Sequence, residues 1–251
     1  MLAKIHKEMA FQIISDYPKT SVKDFLLNGI AKPDWEKDEQ TKIKWLKEWM
    51  DMPDDSHHSS KLKNDHSYKI TKDGKRFKIV FAKSGDDQAT VIARLKYSAR
   101  DIHEWKVEEE YRVCALELAK SIHWVIDLSS PSHTSYGWEA EQNNGTSYHS
   151  KIEHDFDKVW QKYYDKNNIK WCKKNPFNDI YKWGKKFVED KYERNLKLLE
   201  LYQGKKTMIK NKDAENIGRE VILDLVQNLA DYLSYIDKRI NFDKMAILLA
   251  K

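Results

Sequence analysis

Three histidines and two acids in the middle of this 251-residue chain stand at spacings suited to metal ions. His123 and Asp127 are four residues apart, as are His149 and Glu153, so on helices each pair projects from one face. Between the pairs, Ser129-Ser130-Pro131-Ser132 lets the chain turn and bring His133 back towards the first pair. Imidazole nitrogen and carboxylate oxygen are ligands that zinc accepts, and a zinc site with open positions is hydrolytic. Taken singly, each residue has an ordinary explanation: a satisfied core histidine, an exposed helical pair, a loop histidine. Asp127 shifts the balance, because a carboxylate inside the apolar run YRVCALELAKSIHWVI and its continuation is costly unless a cation offsets it.

Helices must carry these residues. Apolar positions recur every three to four residues over 2–14, 86–105, 107–128, 150–164, 178–202 and 213–240. Ser21 reads as the N-cap of a helix VKDFLLNGI closed by Gly29 and Pro33, and 39–50 reads as a further helix. The segments 52–60 and 130–148 are rich in turn formers and read as loops. Only 67–81 has strand character, with YKIT and RFKIVF flanking Lys72-Asp73-Gly74-Lys75; it reads as one small β-hairpin, with a helix as the open alternative because the element would be isolated. The expected fold is all-α, a single compact helical domain over 1–251.

Composition agrees. Eight glycines and five prolines are few for this length, and 45 basic residues are interspersed with 40 acidic ones to a net charge of +5. That is a solvated mixed surface with a weak bias towards anionic partners such as phosphates or acidic lipid headgroups. No run approaches the ~18 apolar residues of a membrane span. Neither does the amphipathic start MLAKIHKEMAFQII resemble a signal peptide, so a cytoplasmic chain or a processed form are both open. Of two cysteines, Cys114 reads as a small core residue; one bridge to Cys172 is open, but two cysteines make no disulfide framework.

The stretch from Ala115 to Asp157, with H-x3-D-x5-H-x15-H-x3-E at its centre, resembles the zinc-dependent bacterial phospholipase C family, which shares a helical fold with the fungal single-strand nucleases. Shorter matches agree: His6 in IHKEMA, Asp34-Trp35 after Gly29-Ile30, and Ser56-His57-His58. The resemblance covers roughly residues 1 to 160, and the last third is similar only in being helical.

This resemblance implies two or three zinc ions per chain. One would take His58, His123 and Asp127; a second His133, His149 and Glu153; a third His6, Asp127 as a bridge, and the amine of Met1, which stands where the family has a tryptophan. His57 is the alternative to His58. Asp34 is implied as a ligand or as the group orienting the water, with Asp34 and Glu153 as catalytic carboxylates and Trp35 against the substrate headgroup. The implied activity is phospholipase C: release of diacylglycerol and a phosphorylated headgroup, by a secreted monomer acting at a membrane surface. Glu153, where the nuclease branch has Asp, favours phospholipid. A single-strand nuclease or 3'-nucleotidase acting on nucleic acid, and a non-catalytic zinc-binding helical protein, are the alternatives.

Overall fold

A computed structural model of the chain describes residues 3–30, 38–55, 69–73, 76–80, 91–133, 148–165, 171 and 177–250. Helix α1 (Ala3–Asp16) buries Met9, Ala10, Ile13 and Ile14, a stripe at helical spacing. Helix α2 is Ser21–Ile30 and α3 is Glu39–Asp55. The expected hairpin follows as β1 (Lys69–Asp73) and β2 (Arg76–Val80), antiparallel in a register running from Lys69↔Val80 to Asp73↔Arg76. Then come α4 (Val91–Val107), α5 (Tyr111–Ser129), a 3₁₀ turn (Pro131–His133) and α6 (Tyr148–Tyr163). The last part holds α7 (Ile180–Asp190), α8 (Tyr192–Gln203), α9 (Lys212–Ile240) and α10 (Phe242–Leu249). The all-α expectation holds, with the hairpin as its small β element.

Helix α5 is the axis of the fold, in contact with α1, α2, α3, α4, α9 and α10. A helix covered on all sides must be apolar all round, and every residue from Ser121 to Ser129 is buried. One hydrophobic cluster runs from Met9 in α1 through Phe25, Leu46, Leu95, Leu118, Ile152 and Leu198 to Leu233 and Met245. Gly29 sits where α2 crosses α5: a Cβ there would collide with that of Ala115. It is thus a helical residue kept small for close packing, where the sequence suggested a terminator.

Three further boundaries differ from the sequence expectation. Helix α3 continues through Met52-Pro53 to Asp55, because Met50 and Asp51 are packed into the core and hold its last turns. Pro53 withholds its own backbone donor and crowds the carbonyl one turn back, so the helix ends within two residues of it. The single helix expected over 178–202 is two, broken at Lys191, whose backbone leaves helical geometry at φ −101, ψ 1. Helix α10 was not foreseen: Asn241, in the left-handed region at φ 59, ends α9 and caps α10 through Lys244 N at 3.2 Å. Phe242 and Met245 then bury fully against the core.

Candidate metal centre

The last turns of α5 supply His123 and Asp127, the 3₁₀ turn supplies His133, and α6 supplies Glu153. Asp127 has no exposed surface, and His123, His133 and Glu153 are 1%, 3% and 1% exposed. Glu153 reaches the interior because it stands beside the buried stripe Ile152, Phe156, Val159 and Trp160 of α6. The exposed-pair explanation for it is therefore excluded.

The four side chains touch in sequence. His123 Nε2 lies 3.4 Å from Asp127 Oδ2, His133 Nε2 is 3.3 Å from Asp127 Oδ1, and the same nitrogen is 3.3 Å from Glu153 Oε1. Charge-assisted hydrogen bonds are shorter, about 2.7–2.9 Å. Zinc bonds of about 2.0–2.2 Å set neighbouring ligand atoms of a tetrahedron roughly 3.3–3.6 Å apart. The observed spacings are those of ligand edges around a cation.

The His123 tautomer supports this fit. Its Nδ1 lies 3.0 Å from the carbonyl oxygen of Met50 in α3. A carbonyl only accepts, so Nδ1 carries a proton, and Nε2 on the Asp127 side is the nitrogen positioned to serve as a ligand atom. Lys7 Nζ bonds Asp51 Oδ2 at 2.9 Å, tying α1, which carries His6, to the turn that offers the Met50 carbonyl. A mostly apolar cavity lined by Met9, Ile126, Ser130, Phe156, Val221, Ile222 and Leu225 adjoins Glu153.

The described ligands come in pairs. Among the described residues, no group of three or more His, Cys, Asp or Glu side chains is arranged to hold one ion. His123 with Asp127 and His133 with Glu153 each supply two ligands, and the Asp127–His133 contact makes the two pairs adjacent. The third ligands inferred for them, His58 and His149, bear on residues whose side chains are not described; His149 is placed on α6 four residues before Glu153 by backbone alone. His6 is likewise placed on α1 by backbone alone, and Met1, Asp34, Trp35 and His57 lie outside the described residues. His103 and His154 are exposed.

Three contributors escaped the sequence reading. The Met50 carbonyl has no side-chain signature at all. Ser129, buried at the end of α5, donates to Val125 O and accepts from Asn228 Nδ2 of α9, both at 2.9 Å. Asn228 was visible in principle, as a polar residue within the apolar register of Leu225, Val226, Leu229 and Leu233. Cys114 is a buried free thiol against the Ile102 carbonyl at 3.3 Å, while Cys172 lies outside the described residues.

No family model matches the chain, and no curated protein is significantly similar in sequence. Solved structures are similar. The alpha toxin from Clostridium absonum superposes with a TM-score of 0.58 at 15% identity, covering 96% of this chain and 64% of that one. Clostridium perfringens alpha-toxin from an avian strain gives 0.54 at 16% identity, covering 94% and 63%. The chain thus spans under two thirds of the length of these proteins. At such identities the likeness is one of fold, and it extends over nearly all of this chain, including the C-terminal helices that no motif had assigned. The chain has the all-α fold of the clostridial alpha-toxins, the fold expected from its resemblance to the zinc-dependent bacterial phospholipases C.

Proposed function

We propose that this chain is a zinc-dependent phosphodiester hydrolase of phospholipase C type, which releases diacylglycerol and a phosphorylated headgroup. The observation that carries this reading is the buried run His123–Asp127–His133–Glu153, linked at 3.3–3.4 Å at the end of the central helix of an alpha-toxin fold. A purely structural core has little use for two carboxylates against one imidazole, since each buried charge costs several kcal/mol to desolvate, order of magnitude.

In this reading His123 and Asp127 would hold one ion with His58, and His133 and Glu153 would hold another with His149. His6 and the Met1 amine complete a third around Asp127. Zinc, when bound, supplies Lewis acidity towards phosphoryl oxygens and lowers the pKa of a water to about 7. The chain's own residues do the rest. The Met50 carbonyl fixes the His123 ring, and Asp127 contacts both His123 and His133. Glu153 or Asp34 takes or steers a proton from the attacking water. Trp35 offers its ring to a cationic headgroup, and the mostly apolar cavity beside Glu153 limits the polar groups around it. Residues 1–251 act as one domain, supported by the continuous hydrophobic cluster. Among the described residues no helix could cross a bilayer, and we assign the membrane surface as the place of the substrate and the exterior of the cell as the place of action.

The test is a parallel assay of the zinc-loaded protein on phosphatidylcholine vesicles and on single-stranded DNA, each with and without chelator. Headgroup release that the chelator abolishes is expected. Release of mononucleotides alone would move the chain to the nuclease branch, and no zinc-dependent cleavage of either substrate would refute hydrolysis.

A further inference from the structure

Helix α9 carries no ligand-type residue at the centre, yet one of its side chains is bonded to the element that sets the centre's spacing. Asn228 is 5% exposed in the middle of α9, and its Nδ2 donates to Ser129 Oγ at 2.9 Å. The direction of that bond is fixed, because the Ser129 hydroxyl proton is already given to Val125 O at 2.9 Å. Ser129 is two residues beyond Asp127 and four before His133, at the point where α5 gives way to the 3₁₀ turn.

The junction is densely hydrogen-bonded. Ser130 N donates to both Ile126 O and Asp127 O at 3.1 Å, and His133 N donates to Ser130 O at 3.2 Å. The Ser130 and Ser132 hydroxyls bond each other at 2.7 Å. Ser129, Ser130, Ser132 and His133 are all buried. A helix end can stop in many ways, and a buried hydroxyl or amide in an apolar core is tolerated only when bonded. Among the described residues, Asn228 joins this system from outside the local segment. It anchors the last turn of α5 to a 29-residue helix, and so sets where His133 stands relative to Asp127.

We infer that Asn228 is a positioning residue for the metal centre: through Ser129 it holds the α5–3₁₀ junction that spaces Asp127 and His133. The inference rests on the metal reading given above, in the sense that a metal centre is what the junction would position. Groups behind the ligands of a zinc site typically change affinity by 10- to 100-fold when lost.

The test measures zinc affinity by chelator competition, and the visible spectrum of the Co²⁺-loaded protein, for the unaltered chain and four variants. Asn228→Leu removes the donor at similar volume; Ser129→Ala removes its acceptor and suits a helix; the double variant completes a cycle. Leu233→Val, in the same helix, is a packing control that lowers thermal stability by core loss alone. The expected result is zinc binding weakened about tenfold or more in Asn228→Leu and Ser129→Ala, with an altered cobalt spectrum. The double variant should be no weaker than the worse single one, and Leu233→Val should bind as the unaltered chain does. Should Asn228→Leu fail to fold, Ser129→Ala decides. Zinc binding within twofold of normal in these variants, or an equal loss in Leu233→Val, overturns the positioning role alone. An unaltered chain that takes up no zinc overturns the metal reading itself, together with this one.

Discussion

Replacing Asp127 with Asn separates what that side chain does for folding from what it does for metal. The carboxylate is fully buried and lies 3.4 and 3.3 Å from two imidazole nitrogens, one of which also faces Glu153 at 3.3 Å. Asn keeps the shape and removes the charge. Without metal, the variant escapes the desolvation of a buried carboxylate but places an amide against ring nitrogens, a trade of about 1–3 kcal/mol on either side. The apo protein should therefore unfold at nearly the same temperature as the unaltered one. With zinc, the two should diverge. At a free concentration one hundred times Kd, a ligand adds about 2.7 kcal/mol, or roughly 5–11 °C for a chain of this size. An amide is a poor zinc ligand, and a hundredfold weaker site under the same conditions keeps only about 0.4 kcal/mol, which is roughly 1–2 °C. The assay is thermal unfolding followed by circular dichroism, in chelator and in zinc. An Asn variant that gains as many degrees from zinc as the unaltered chain would refute the assignment of Asp127 as a ligand.

Other consequences of the packing can be measured together. Gly29→Ala should cost about 1–3 kcal/mol by overpacking, since the added methyl meets Ala115 across two helix backbones. Gly218→Ala, whose methyl meets the flexible Met208 side chain, should cost less, and chemical denaturation would show the order. Burial pushes the Cys114 thiol up to about 12, so a thiol reagent at pH 8 should leave it unmodified in the folded chain and label it after unfolding, as read by peptide mass spectrometry. The Asp243 carboxyl is held below its ordinary value by the nearby Ser21 hydroxyl and by Lys19, whose Nζ is 3.0 Å away. A depressed folded value stabilises at pH above the ordinary 3.8 and is lost as the pH falls through the lower one. Docking of α10 should accordingly weaken only in strong acid, and Asp243→Asn should remove that dependence from its protease susceptibility.

What the sequence disclosed and what it withheld divide along physical lines. Helix α5 was legible because burial on all sides demands continuous apolar residues, which leaves His123 and Asp127 conspicuous within it. The hairpin was legible through β-rich runs around a turn. The break at Lys191 was not, because α7 and α8 face the same core and their apolar spacing continues across it without Gly or Pro. Helix α10 follows a one-residue left-handed turn at Asn241 and is too short for a periodic signal. At the site, side-chain types revealed the ligand candidates, whereas the partner fixing His123 is a backbone carbonyl that any residue at position 50 could provide. Asn228 lies 99 residues from Ser129, a proximity that only the tertiary fold creates.

The presence of a metal cluster at the end of α5 is best settled by crystals of the zinc-loaded chain measured on both sides of the zinc absorption edge. Anomalous peaks are expected beside His123 Nε2 and Asp127, and between His133 Nε2 and Glu153, at about 2.0–2.2 Å from the ligand atoms. A map with no zinc peak among these four side chains would contradict the metal centre.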